Sequence, residues 1–191
     1  MYKRLIKRGM DVLFSAVAIL VLALPMLIIA AAVRLDGAGP VLFRQSRVGK
    51  DGKPFTILKF RTMRIDAPSE TPALLMENAK EWTTGVGAFL RKTSLDELPQ
   101  LFNILAGQMS FVGPRPVIAS ESELTEARRQ NGAVGLTPGL TGWAQIHGRN
   151  RLSAAEKAAY DGEYLQKISF FFDLRCILGT FGALFEKSDG K

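Results

Sequence analysis

The sequence predicts an α+β chain, mostly helical, with a short β-hairpin and an N-terminal membrane helix. Three observations carry this. Val12 to Val33 is an apolar run without a charged residue. Val41–Val48 and Phe55–Met63 are β-branched and aromatic stretches on either side of Gly49-Lys50-Asp51-Gly52, the pattern of a hairpin. Beyond Met63, the segments read as helices joined by glycine and proline loops.

The apolar run would measure about 33 Å as a helix, close to the thickness of a bilayer core. No small-residue cleavage site follows it, so a signal peptide fits poorly. Lys3, Arg4, Lys7 and Arg8 precede the run; Arg34, Arg44, Arg47, Lys50 and Lys53 follow it. Basic flanks prefer the cytoplasm, and here both flanks are basic. Pro25, near the middle, removes a helical hydrogen bond. A bent helix that enters and leaves by one face satisfies both flanks. A straight span with an ordinary mid-membrane proline is the alternative.

In the second strand, alternation puts Lys59 and Arg61 on one face as a two-cation patch. Thr71-Pro72 opens a helix that runs to about Trp82. Val86–Arg91 reads as a helical turn. Ser94 and Glu97 fit a capping box, while Pro99 argues for a slightly later start with Asp96 as the cap; either choice places Asp96 in the first turn of a helix that ends near Gly107. Gly113-Pro114-Arg115-Pro116 is a rigid turn presenting one arginine. Glu121–Gln130 is a charged helix, and Leu136–Gly148 is loop with a short strand. Ala154–Leu165 is helical. Ile168–Phe185 is apolar but contains Asp173 and Arg175, which suits an interfacial amphipathic helix; a buried core helix is the alternative.

The chain has 191 residues, 47% of them hydrophobic, and a net charge of +7. The charge points to phosphorylated substrates or anionic lipid. Nucleic acid is disfavoured, because there is no basic recognition helix or aromatic-basic repeat. The single cysteine, Cys176, excludes an intrachain disulfide and reads as core- or lipid-facing. No His/Cys cluster suggests zinc, and no Walker or dinucleotide loop is present. His147, the only histidine, reads as structural or loop-solvated.

The chemistry concentrates at Arg91-Lys92-Thr93-Ser94-Leu95-Asp96-Glu97. Two adjacent carboxylates at a helix start, among cations, suit phosphoryl transfer through a carboxylate nucleophile. Arg91, Lys92, Lys59, Arg61 and Arg115 are the candidate phosphate ligands. A carboxylate pair here also suits magnesium, which takes one or two carboxylates plus substrate phosphate.

Four segments then carry a resemblance: Lys59-Phe60-Arg61-Thr62-Met63, Ser94 through Gln100, Phe111 through Pro116, and Pro138 through Gln145. In this order they resemble the small monotopic phosphoglycosyl transferases, also called bacterial sugar transferases, across about residues 5 to 180. The resemblance implies transfer of a sugar phosphate from a UDP-sugar to undecaprenyl phosphate, with release of UMP, by a ping-pong route. It implies Asp96 as nucleophile and Glu97 as its partner. Magnesium would sit on Asp96 and the diphosphate, with Arg91 and Arg115 on phosphate or nucleotide. It also implies a re-entrant membrane helix broken at Pro25, and a catalytic domain on the cytoplasmic face of the bacterial inner membrane, upstream of further glycosyltransferases. The chain divides accordingly into residues 1–35 (basic N-terminus and membrane helix), 36–185 (catalytic domain) and 186–191 (polar tail). It looks like the minimal form, without the multi-span N-terminal region of larger relatives. Two departures stand out: Leu24 precedes Pro25 where several members have serine, and Ala154 stands where a tryptophan is common.

A membrane-anchored phosphatase using the same Asp and magnesium, with water as acceptor, is the nearest rival. A non-enzymatic basic lipid-binding module is the other. The residues do not identify the sugar.

Overall fold

The computed structural model describes residues 2–67, 79–148 and 151–189. After a π-helical turn at Tyr2–Ile6, helix α1 runs from Lys7 to Leu35 with Pro25 inside it. Strands β1 (Leu42–Val48) and β2 (Pro54–Phe60) form a two-stranded sheet around a 3-10 turn at Lys50–Gly52. Then come α2 (Ala79–Trp82), α3 (Gly85–Thr93), a 3-10 turn at Leu95–Glu97 and α4 (Gln100–Leu105). Strand β3 (Ser110–Val112), α5 (Ser122–Gln130), β4 (Gly139–Thr141), α6 (Trp143–Ile146), α7 (Ala154–Lys167) and α8 (Phe170–Asp189) complete the chain. The α+β reading and the hairpin hold. The helix expected from Thr71 falls mostly outside the described residues; α2 covers the end expected for it near Trp82.

Two compact units share the chain. The first joins the residues up to Ser15, Ser46–Thr56 and everything from Asn103 onward; the second joins Ala16–Gln45 and Ile57–Phe102.

Among the described residues the first unit has two small cores. One gathers Val112, Ala133, Leu136, Trp143, Tyr164 and Cys176; the other gathers Val117, Leu124 and Ala158. Strands β3 and β4 pair in parallel, Ser110 opposite Gly139 and Val112 opposite Thr141. A Cβ on Gly139 would stand 2.1 Å from the Gly113 nitrogen, so only glycine lets these backbones meet. The start of α1 is tied into this unit by polar contacts. Asp173 accepts from Lys7 Nζ and Tyr2 Oη, each at 2.7 Å, and from Tyr164 Oη at 2.6 Å. The Asp11 carboxylate accepts from Ser110 Oγ and the Phe111 N–H, each at 3.1 Å. Arg8 reaches the Ile104 and Leu105 carbonyls at 2.6 and 2.9 Å, where a cation meets a helix C-terminus.

The second unit packs Val33, Phe60 and Leu90 with Met26, Ile29, Val41 and Val86. Leu20, Val21, Leu24, Leu27 and Ile28 of α1 are largely exposed. Among the described residues α1 is the one helix long and apolar enough to cross a membrane. Apolar side chains exposed to this extent are matched by lipid rather than water.

Candidate active site

Of the residues singled out from sequence, Lys59, Arg91, Asp96 and Glu97 come together in the second unit. Helix α3 begins at Gly85, with its first N–H groups satisfied locally. The Thr84 hydroxyl accepts from the Gly87 N–H, and the Asp36 carboxylate from the Val86 N–H, each at 3.0 Å. A Cβ on Gly87 would stand 2.1 Å from the Thr62 carbonyl oxygen. Glycine therefore lets α3 lie directly on the segment that follows β2. One turn later on the same helix face, Arg91 Nε donates to Thr62 Oγ1 at 2.8 Å. Thr62 was not singled out from sequence, although it lies inside the Lys59–Met63 segment.

Helix α3 stops because Ser94 takes φ +59°, in the left-handed region. That conformation is uncommon for a non-glycine residue. The chain then makes its 3-10 turn at Leu95–Glu97, passes the buried Pro99 and enters α4. This corrects the expected helix start. Ser94 makes no side-chain capping bond, and the Glu97 carboxylate accepts from Lys59 Nζ at 2.6 Å. Asp96 sits in the 3-10 turn ahead of a six-residue helix. Its charge is therefore governed by burial and by nearby side chains more than by a helix dipole, which acts within the first turn.

Asp96 is 9% exposed. Burial pushes its pKa above the ordinary carboxylate value; Lys59 and Arg91 pull it back, and Glu97 pushes it up. Lys59 Nζ stands 4.0 Å from Asp96 Oδ2 while bonded to Glu97. Burial likewise lowers the Arg91 pKa, and Asp96 opposes that shift. Arg91, Lys59, Asp96 and Glu97 thus share one electrostatic field.

Arg61 does not share it. Strand β2 ends at Phe60, so the two-residue alternation expected to align Arg61 with Lys59 is not sustained. The buried Arg61 guanidinium turns to the end of α1. Nη2 donates to the Val33 and Gly37 carbonyls at 2.9 and 2.6 Å, and Nη1 to the Ala38 carbonyl. The expected two-cation patch is therefore Lys59 alone, and Arg61 is a C-terminal clasp on α1.

Arg115 belongs to the first unit, where its side chain is exposed. Pro25 is exposed on α1, and Lys92 is exposed on α3. His147 packs on Trp143 and Tyr160, with Nδ1 2.8 Å from the Trp143 carbonyl, in keeping with a structural role. Among the described residues no three His, Cys, Asp or Glu side chains converge as a metal cluster. With Glu97 bonded to Lys59, Asp96 is the carboxylate that suits a hard divalent ion. Such an ion would need phosphate oxygens of a substrate to complete its shell.

The model of the family "Bacterial sugar transferase" matches residues 2–187. The chain belongs to that family. Among bacterial sugar transferases and related proteins, it is 40% identical over 186 residues to the UDP-glucose:undecaprenyl-phosphate glucose-1-phosphate transferase of Escherichia coli (strain K12). That match covers 93% of this chain and 39% of the relative. It is 41% identical over 192 residues to the exopolysaccharide production protein ExoY of Rhizobium meliloti (strain 1021), covering 93% of this chain and 84% of that protein. An uncharacterized sugar transferase of Bacillus subtilis (strain 168), EpsL, is 40% identical over 179 residues. The chain thus spans about two fifths of the Escherichia coli relative and most of ExoY. As a bacterial sugar transferase it carries the Asp-Glu pair with a buried carboxylate, two neighbouring cations and no metal cluster of its own among the described residues.

Proposed function

We propose that this chain transfers a sugar 1-phosphate from a UDP-sugar to undecaprenyl phosphate and releases UMP, through a covalent intermediate on Asp96. The observation that carries the reading is the placement of the two acids. Lys59 is bonded to Glu97 and stands off Asp96, leaving a desolvated carboxylate in a cationic field. A desolvated anion is a stronger nucleophile than a hydrated one, and the neighbouring cations oppose the rise in pKa that burial causes.

In the first half-reaction an Asp96 carboxylate oxygen attacks the β-phosphorus. The bond from that phosphorus to the bridging oxygen breaks, and UMP leaves with the electron pair. In the second, an oxygen of undecaprenyl phosphate attacks the same phosphorus and the Asp96 carboxylate leaves. Arg91, held by Thr62, and Arg115 would neutralise phosphate oxygens. Glu97 keeps Lys59 oriented toward the site and serves as partner to Asp96. Magnesium, held by Asp96 and the diphosphate, would supply further charge neutralisation.

Purified full-length chain in nanodiscs, incubated with magnesium, a panel of UDP-sugars and undecaprenyl phosphate, tests this by UMP release. Sustained release with one UDP-sugar that requires the acceptor is the expected result, with no more than one equivalent per chain in its absence. Sustained release that ignores the acceptor would favour a hydrolase, and no release from any UDP-sugar would overturn the reading.

The same reading places the chain on the cytoplasmic leaflet of the bacterial inner membrane, with α1 re-entrant. It is supported by the basic flanks and by Pro25, which lies inside α1. A cysteine introduced as Lys3→Cys should resist a membrane-impermeant thiol reagent in intact cells. Ready labelling there would mean that the segment spans.

A further inference from the structure

The Gly113-Pro114-Arg115-Pro116 turn is fixed through its main chain. The Gly113 N–H donates to the Thr141 carbonyl at 2.9 Å, and the Pro114 carbonyl accepts from the Gly139 N–H at 2.8 Å. The Val117 carbonyl accepts from the Val48 N–H at 2.8 Å. The Arg115 carbonyl is held differently, by a buried side chain: Arg128 Nη1 donates to it at 3.0 Å.

Arg128, on α5, is 7% exposed, and Asp161, on α7, is 1% exposed. Arg128 Nε and Nη2 each lie 2.8 Å from Asp161 Oδ2. The two helices approach closely one residue further on, where a Cβ on Gly162 would stand 2.8 Å from Asn131 Nδ2. A buried ion pair is seldom more stabilising than apolar residues of the same volume. This one has a direction. Two guanidinium nitrogens face the carboxylate, and the third, fixed in the same plane, faces the turn.

We propose that Arg128 and Asp161 are positioning residues for the transfer reaction: they fix the peptide from which Arg115 projects, and so set where its guanidinium meets the diphosphate of the UDP-sugar. The inference rests on the reading of Arg115 as a diphosphate ligand. Neither Arg128 nor Asp161 touches substrate. Their effect is to remove main-chain freedom beneath a long side chain, where an error of about 1 Å can cost about a hundredfold in rate.

A double-mutant cycle tests it. Arg128→Lys is made in the wild-type and Arg115→Ala backgrounds of the full chain, and KM for the accepted UDP-sugar is measured alongside the melting temperature. Lysine keeps a cation for Asp161, but one ammonium cannot also reach the Arg115 carbonyl in the same fork. In the wild-type background KM for the UDP-sugar should rise about tenfold, with KM for undecaprenyl phosphate unchanged. In the Arg115→Ala background the same substitution should change KM less than about twofold. Equal effects in both backgrounds, or wild-type kinetics for Arg128→Lys, would overturn the inference while leaving the role of Arg115 standing. Loss of folding in Arg128→Lys would assign the pair to the core and overturn it as well. A wild-type KM for Arg115→Ala alone would instead remove the diphosphate reading of Arg115, and the inference with it.

Discussion

Asp96 and Asp161 are both buried acids, and burial pushes both above the ordinary carboxylate range. They differ in how near their cation stands. Asp161 has the Arg128 guanidinium at 2.8 Å, and it is closed into the pair. Asp96 has Lys59 at 4.0 Å, because that lysine is bonded to the neighbouring Glu97. The first arrangement consumes the carboxylate; the second keeps it available. On the proposed reading, a close partner makes a structural acid, and a partner drawn aside by a second acid leaves one free to react.

The largest expected effect that bears on this contrast is Asp96→Asn. It should lower turnover by several orders of magnitude and abolish a phosphosugar adduct in intact-mass measurement, since charge and covalent route go together. Substantial turnover by the variant would break the comparison. The same substitution has a stability signature. The Asp96 pKa is raised in the folded chain, so its ionisation opposes folding. At low pH, where Asp96 is protonated in both states, Asp and Asn variants should melt alike. As pH rises past the ordinary carboxylate pKa of about 3.9, the Asn variant should become the more stable one. The gap should be complete once folded Asp96 has ionised.

Asp161→Ala should cost about 3–5 kcal/mol in denaturant unfolding, because it strands a buried guanidinium. A near-neutral result would mean that water reaches Arg128 and that the two acids are less different than their distances imply. Arg61→Met should cost about 2 kcal/mol, by freeing carbonyls at the end of α1. It should leave KM for the UDP-sugar unchanged if Arg61 is a clasp, and a raised KM would return it to the site. The smallest effect is expected from Lys59→Met. It removes a cation that lowers the Asp96 pKa, so the acid limb of the rate profile should move to higher pH. An unmoved limb would show that Lys59 acts only through Glu97.

The site was readable to the extent that its residues are adjacent in sequence. Asp96, Glu97 and Arg91 fall within one short segment, and their cationic setting is visible there. What could not be read was how the chain turns between them. Two of the Ser-x-x-Glu patterns in the chain, Ser94–Glu97 and Ser153–Glu156, can be set side by side. Only the second forms a capping box, where Ser153 is extended. At Ser94 the chain is leaving α3 in the left-handed region, and Glu97 meets Lys59 instead. The same four-residue pattern therefore gave two outcomes, decided by tertiary partners. The hairpin was legible from composition. The parallel pairing of β3 and β4 was not, because three-residue strands carry too little periodicity; the signal left in sequence is glycine at 113, 139 and 142, where the backbones touch. Arg61 was misplaced because alternation was carried one residue past the end of its strand.

Cys176 has a practical consequence. It is fully buried, and burial, with Asp173 nearby, pushes its thiol pKa up to about 12. Thiol reagents attack the thiolate, so at neutral pH this sulfur is both shielded and protonated. The natural chain therefore serves as its own blank for site-directed labelling. A single introduced cysteine, at position 3 or elsewhere, reports on its own surroundings without first replacing a residue at the centre of the core.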